Sequence, residues 1–433
     1  MESKIGYLVG EFPKLSETFI LDEVKEHLRH RISVIVVAMY RPAASNKGWS
    51  NLKGVHVPTV YVYRTRGRLQ RLERIWIGLL ALLSDWQLWR VVFGTGYGTY
   101  VDRANILGLA HRLPEIARLG GIDLLHCHFG YRGHLAAALR SLGLIDAKII
   151  TTFHGFDMSA ELNRKGRDFY NLLFRFGELF LPVSEMWARR LLELGCDPAR
   201  IAVHHVGIDC SRNEFRARRL EPRSNAPVRL ISVGRLVEKK GHKYALQALA
   251  RLRKERPDLS IKLDIVGDGA LLDDLKKEAS DLQVEGIVTF HGGLSHSRTL
   301  TLLDEASIFV LPSVTAEDGD MEGIPVSLME AMARGLVVIS TFHSGIPELV
   351  ENGVNGFLVP ERDVAALADA IEQSVKNAPR WPDLLRAGRE TVEAEFDRRK
   401  LGDRLIELYR GLLPQQTYKL ADRLEKRRVR SIA

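Results

Sequence analysis

The sequence predicts two doubly wound α/β domains, each a parallel sheet covered by helices on both faces, with a cleft between them. Three observations predict it. A chain of 433 residues exceeds what one hydrophobic core usually organises. Short β-rich runs alternate with helical patterns along most of its length, the pattern of parallel sheets. A polar stretch with several arginines, Arg212 to Pro227, interrupts that alternation near the middle.

In the first domain, residues 1–211, strands are expected at Ile5–Val9, Ile32–Met39, Leu124–Cys127, Ile149–Phe153, Leu179–Val183 and Ile201–Val206. Residues 212–227 are the linker. The second domain, 228–395, repeats the pattern at Arg229–Val233, Ile261–Val266, Val288–Phe290, Ile308–Leu311 and Val337–Ser340, with helical segments such as His242–Arg253 between them. Helical patterns continue from Val364 to Leu413 with a break near Pro379 and Pro382, and residues 396–433 end in a basic tail. Ligands of doubly wound sheets bind beyond the carboxyl ends of the strands, so function is sought in the cleft.

Composition narrows the class. With 45% apolar and 27% charged residues, the chain has the balance of a soluble globular protein. The three cysteines, Cys127, Cys196 and Cys210, lack CxxC spacing, which points to a reducing compartment rather than a disulfide framework. Met1 to Lys4 lead straight into a strand pattern without a secretion signal, and the longest apolar run, Ile75–Leu83, is far shorter than the roughly 20 residues of a membrane span. A cytoplasmic protein whose membrane contact is peripheral is expected. The formal charge of +8 is concentrated: from Arg29 to Arg74 there are ten Lys or Arg and one acid, Glu73. Such a patch suits phosphate, anionic lipid or nucleic acid. No nucleic-acid motif accompanies it, so nucleic acid ranks last.

The segment Glu322-Gly323-Ile324-Pro325-Val326-Ser327-Leu-Met-Glu330 follows a strand and opens a helix. Pro325 suits the first helical position. The amides of Val326 and Ser327 then point outward unpaired at a positive helix end, a site for a diphosphate. Glu330 follows five residues later, about 7.5 Å along the axis. Glu322 can hold a sugar there and Glu330 can accept hydrogen bonds from ribose hydroxyls. Alone, two helix acids are more often simply solvated. They are not alone, because Gly234-Arg235 and Lys239-Lys240-Gly241 set a tight turn and cations just after a buried strand. Arg235 and Lys240 can neutralise a departing diphosphate. Gly267 and Gly269 end the next strand and permit close backbone approach.

On the facing domain, Thr151-Thr-Phe-His154-Gly-Phe-Asp157 puts a histidine at a strand end. His154 can bond the sugar through its ring and stabilise positive charge through its carbonyl. His128 and Asp157 are read on the acceptor side and His126 as structural. Gly10 lets the backbone approach phosphate from the opposite wall. Asp318-Gly-Asp320 spells a metal-binding Asp-x-Asp but is read as loop acids, because Arg235 and Lys240 already fill a metal's electrostatic role.

These motifs resemble glycosyltransferase family 4, and Gly10–Ile20, Asp318–Ala333 and His343–Asp363 look especially like bacterial exopolysaccharide transferases of the colanic-acid type. The resemblance spans nearly the whole chain, except Arg41–Tyr100 and the tail. It implies a GT-B fold, retention of configuration, no metal or other cofactor, and a nucleotide held by the second domain. By position it makes Glu322 and Glu330 the family's acidic pair, Arg235 and Lys240 its phosphate binders and His154 its active-site histidine. It also implies that a helix within 396–433 crosses back onto the first domain. One departure leaves the sugar open: many relatives carry Glu-Pro-Phe-Gly where this chain has Glu322-Gly-Ile-Pro325.

The expected function is a retaining hexosyltransferase that uses a nucleotide-sugar donor, UDP-linked by expectation, and a lipid-linked oligosaccharide acceptor in exopolysaccharide biosynthesis. A nucleotide-sugar epimerase and a non-enzymatic scaffold share the architecture and stay as alternatives. An oxidoreductase is disfavoured, since Gly10-Glu11-Phe12 follows the first strand in place of GxGxxG. Docking on anionic membrane is expected through Arg64, Arg66, Arg68, Arg71 and Arg74, aided by Trp76 and the apolar residues up to Trp89. The bland alternative is a solvated basic face with its tryptophans in the core.

Overall fold

The computed structural model describes residues 4–14, 17–42, 57–65, 68–220 and 226–413. Two six-stranded sheets form. The first comprises β1 (Lys4–Glu11), β2 (Ser33–Tyr40), β3 (Thr59–Tyr63), β4 (Leu124–His128), β5 (Lys148–Phe153) and β6 (Leu179–Pro182) in the order β3-β2-β1-β4-β5-β6. The second comprises β7 (Val228–Val233), β8 (Ile261–Val266), β9 (Val288–Gly292), β10 (Ile308–Val310), β11 (Val337–Thr341) and β12 (Phe357–Val359) in the order β12-β11-β10-β7-β8-β9. Among the described residues every strand pairing is parallel, Tyr7 opposite His126 and Ile231 opposite Phe309 among them. Strand order therefore reverses at β1/β4 and at β7/β10. These are the points where a doubly wound sheet opens a crevice for ligand.

Central strands are apolar throughout because helices cover both faces: Ile5, Tyr7, Leu8 and Val9 on β1 and all five residues of β11 are buried. Two edge strands escape a reading by apolar runs. β3 alternates its burial, and β12 has only three residues. Ile201–Val206 is a correction in the other direction. Ala202 and His204 donate to the carbonyls of Phe180 and Pro182, but pairing closes a single bridge, Phe180 with Ile201. The chain leaves the sheet there to meet the second domain, where Ile208 bridges Asp397.

Contacts at several points hold the domains together, among them Trp187 Nε1 donating to Glu322 O at 3.3 Å and Ser159 Oγ accepting from Met321 N at 3.2 Å. Helix Arg398–Leu412 lies on helix Thr18–Arg29 of the first domain, and Arg398 pairs with Asp22 at 3.1 Å, Glu26 at 3.3 Å and Asp209 at 2.8 Å. Across the cleft, Glu348 accepts from the first amides of helix Glu185–Glu193, Glu185 N at 3.0 Å and Met186 N at 3.3 Å, and contacts His205 Nε2 at 3.1 Å. A carboxylate at a helix N-terminus is a favourable cap, here supplied by the other domain. No helix of the described residues is long and apolar enough to cross a membrane.

Candidate active site

The second-domain wall is built at the β7/β10 crevice. Helix Val326–Ala333 opens there, with Pro325 as its cap residue rather than its first helical residue, because Pro325 keeps an extended ψ of 122°. Ser327 Oγ donates to Val233 O at 2.9 Å and ties the helix start to the end of β7. Glu322 is buried, and Lys240 Nζ lies 2.8 Å from its Oε1. Burial alone raises this carboxyl, but Lys240 and then Lys239 outweigh it and hold it below its ordinary value. Arg235 is exposed beside this pair in sequence. The adjacent Lys239 is engaged elsewhere: it pairs with Asp320 at 2.9 Å and donates to Met321 O. Asp320 is thereby an ion-paired loop acid, and its amide bonds Asp318 at 2.8 Å.

Glu330 sits one turn farther into the helix, and burial pushes its carboxyl up to about 7 while Arg334 pulls the other way. Gly267 and Gly269 serve the backbone of their own domain. A Cβ at Gly267 would meet Gly234 O at 1.8 Å, and one at Gly269 would meet Leu236 O at 2.4 Å. Glycine at both positions is what lets the β8 end pack this closely on the Gly234–Leu236 turn.

The first-domain wall presents His154 at the end of β5. Its Nε2 lies 3.1 Å from His128 Nδ1, and Phe19 and Phe129 flank the ring at 4.7 and 4.6 Å. Burial and the neighbouring His128 hold its pKa well below 6.5, so the ring is neutral at neutral pH. Its carbonyl touches the opposite wall: a Cβ at Gly323 would lie 2.6 Å from His154 O, and one at Gly155 would lie 3.0 Å from Glu322 O. Glycine at both positions is what lets His154 and Glu322 meet.

Two acceptor-side assignments change. Asp157 is fully buried and its carboxylate accepts from Gly130 N (2.7 Å), His154 N (2.9 Å) and Gly155 N (3.0 Å). It shapes the loop that carries His154 and faces no acceptor. His128 is equally buried and supports His154 from behind.

Several supporting residues carry no motif. His343 accepts from Glu322 N at 3.1 Å through Nε2 while its Nδ1 donates to Glu361 at 2.6 Å, which fixes the tautomer and the Glu322 backbone. Behind His128, Glu23 accepts from Tyr7 at 2.7 Å, and Tyr409 of the returning helix bonds His126 Nδ1 at 2.5 Å. The signal for this layer was present in helix Thr18–Arg29, where His27 falls at the buried spacing of Ile20 and Val24. Among the described residues, Glu23, His126 and His128 bring ligand-type atoms within 4.8 Å of one another. Both nitrogens of His126 are already engaged, with Tyr409 and with Thr152 at 2.7 Å. The group serves as hydrogen-bonded support for His154.

Of the basic patch, Arg64 and Arg71 are exposed, whereas Arg74 turns inward, bonding Tyr40 and lying 5.1 Å over the Tyr63 ring. Its membrane assignment is withdrawn because this packing takes its charge off the outer face. Arg66 and the Arg68 side chain lie outside the described residues. Trp76, Trp86 and Trp89 are 65, 77 and 45% exposed, so these tryptophans are not core residues.

Two facing doubly wound domains, with the Lys240–Glu322 pair at a helix start on one wall and a buried histidine on the other, define a GT-B glycosyltransferase. The chain belongs to glycosyltransferase family 4: residues 16–212 match the Glycosyltransferase Family 4 model and residues 214–391 the model for glycosyl transferases group 1. It is 35% identical over 410 residues to the colanic acid biosynthesis glycosyltransferase WcaL of Salmonella typhimurium, covering 94% of this chain and 99% of that protein. It is 34% identical over 417 residues to the amylovoran biosynthesis glycosyltransferase AmsK of Erwinia amylovora, covering 94% of this chain and all of that protein. Among solved structures, Anabaena HepE in complex with UDP is similar, with a TM-score of 0.67 at 18% identity over 94% of this chain and all of that one.

Proposed function

We propose that this enzyme moves a hexose from a UDP-sugar, with retention of configuration and without a metal, to a lipid-linked oligosaccharide of a growing exopolysaccharide at the inner face of the cell membrane. The observation that carries the reading is the Lys240–Glu322 ion pair of 2.8 Å at the start of helix Val326–Ala333, against which the His154 carbonyl closes. In this reading the bond from the anomeric carbon to the diphosphate breaks and its electron pair leaves on phosphate. Arg235, Lys240 and the helix N-terminus neutralise that charge, the electrostatic task in this chemistry. The acceptor hydroxyl adds on the same face and passes its proton to the departing phosphate. Glu322 holds sugar hydroxyls, Glu330 holds the ribose, and the His154 carbonyl faces the developing positive charge. The names of the relatives support exopolysaccharide as the product, and the UDP complex of the similar structure supports the nucleotide.

A lipid-linked acceptor is supported by helix Arg68–Ser84 and the turn after it. Leu72, Trp76, Leu83, Trp86 and Phe93 are each more than half exposed, and Leu69, Leu72, Trp76, Leu79 and Leu83 recur at helical spacing. A continuous apolar stripe of this size on a surface helix suits insertion at a lipid boundary, with Arg64 and Arg71 beside it for anionic headgroups. The deciding experiment incubates purified protein with UDP-glucose or UDP-galactose and membrane-extracted acceptor, with and without EDTA. A product with the donor's α-anomeric proton signal, formed equally in EDTA, supports the reading. An inverted product, manganese-dependent transfer, or conversion of free nucleotide-sugar without acceptor refutes it. In a vesicle assay, Trp76→Glu with Leu83→Glu is expected to lose sedimentation with phosphatidylglycerol vesicles and keep nucleotide binding.

A further inference from the structure

The first-domain wall holds a cation that the donor site does not use. Arg132 stands in the first turn of helix Gly130–Ser141, directly after β4, at the β1/β4 crevice. Its residue is 8% exposed, and among the described residues its guanidinium forms no ion pair and its Nε has no hydrogen-bond partner. The equally buried Arg334 and the partly buried Arg398 are both neutralised. Arg334 clamps Asp304, and Arg398 takes Asp22, Glu26 and Asp209. The acids around the adjacent Tyr131 are already engaged, Asp157 by three backbone amides, Glu17 by Lys14 and Glu161 by Arg164.

A buried, unpaired guanidinium is costly to keep unless something completes it. The chain holds this one in place. Its charge lies 4.9 Å over the Tyr131 ring, at the positive end of a twelve-residue helix. Its Nη2 is directed at the end of β1, where a Cβ on Gly10 would approach to 3.4 Å. The absent side chain leaves that approach open from the strand end. A planar donor group, a helix N-terminus and a strand-end glycine together suit an anion with several acceptor oxygens.

We propose that Arg132 and the β1 end at Gly10, the glycine read from the sequence as facing the donor phosphate, instead form a phosphate-binding subsite for the acceptor, separate from the donor diphosphate site. The donor's charge is already met on the opposite wall by Arg235, Lys240 and helix Val326–Ala333. A second anion site on the first-domain wall matches a phosphate carried by the acceptor. The assignment rests on the lipid-linked acceptor proposed above.

The test uses full-length protein saturated with UDP and titrated calorimetrically with geranyl diphosphate, a short lipid diphosphate, and in parallel with inorganic phosphate. Arg132→Gln is expected to weaken geranyl diphosphate binding at least tenfold and to leave UDP affinity within twofold. Arg132→Lys keeps the charge and is expected to recover part of the loss. Thermal unfolding of Arg132→Gln should match or exceed the parent, since an unpaired buried charge has been removed. A tenfold loss of UDP affinity overturns the proposal, because the cation then belongs to the donor site. Unchanged binding of both phosphate probes overturns it as well and leaves Arg132 a structural residue. If inorganic phosphate binds through Arg132 while geranyl diphosphate does not bind at all, the anion site stands but its assignment to a lipid-linked acceptor, and with it that part of the function, fails.

Discussion

If Glu330 holds the ribose as proposed, one buried carboxyl couples both nucleotide binding and stability to pH. Burial raises it to about 7 from an ordinary value of 4.5, against the pull of Arg334. The native protein therefore keeps a proton, between about pH 4.5 and 7, that the unfolded chain has released. The stabilisation is complete below that window and is lost as pH rises through about 7. At about 1.4 kcal/mol per pKa unit, the loss between pH 5 and 8 comes to roughly 2.5 kcal/mol. Glu330→Gln, which cannot ionise, should show no such slope. Nucleotide binding should run the opposite way, since ribose hydroxyls donate to the ionised form. About a tenth of the molecules are ionised at pH 6 and about nine tenths at pH 8, so the Kd for UDP-glucose should tighten roughly eight- to tenfold. UDP-glucose is the right probe because its diphosphate is doubly esterified and does not titrate in this range. The assays are urea unfolding of both proteins and calorimetric titration, each across the pH range. Parallel stability curves for parent and variant, or a Kd for the parent that ignores pH, would refute the reasoning.

Lys240→Met should be more damaging than loss of a surface charge, because it leaves buried Glu322 without its 2.8 Å partner; a stability loss of about 3 kcal/mol or more is expected alongside loss of turnover, and full stability in urea would contradict it. Gly323→Ala places a methyl 2.6 Å from His154 O, so the walls must part; kcat should fall at least tenfold with UDP affinity nearly kept, and unchanged kinetics would show the contact to be dispensable. Asp157→Asn leaves one acceptor oxygen where three backbone N–H groups now converge, at a cost of about 2 kcal/mol; thermal unfolding should move down by several degrees, and an unmoved midpoint would argue against the loop-shaping role.

The alternation of short apolar strands with helices, and the spacing of Glu322, Glu330, Arg235 and Lys240 around strand ends, were legible because they are local. A strand–turn–helix unit places its own end residues, whatever the rest of the chain does, and the return of helix Arg398–Leu412 onto helix Thr18–Arg29 is now visible as the Arg398 clamp. Local reasoning could not see which side chains are consumed by neighbours distant in sequence. Lys239 and Lys240 are adjacent, yet one is spent on Asp320 and the other meets Glu322, because a short 3-10 turn, Glu238–Lys240, points them apart. Asp157 and His128 read as acceptor ligands on type and position, but burial committed both to holding His154.

The same limit explains Arg74, Arg132 and the tryptophans. Composition identified a basic, Trp-containing stretch, and only packing could say that Arg74 stacks on Tyr63 while Trp76 and Trp86 face outward. Nothing in Gly130-Tyr131-Arg132 marks its arginine as unpaired. By itself the sequence determined the central strands of both sheets, the cleft and the residue types that can meet a diphosphate there, since those follow from periodicity and local turn chemistry. The tertiary structure decided which of those groups remain available to a ligand, because desolvation and pairing are set by neighbours hundreds of residues apart, as Tyr409 on His126 is.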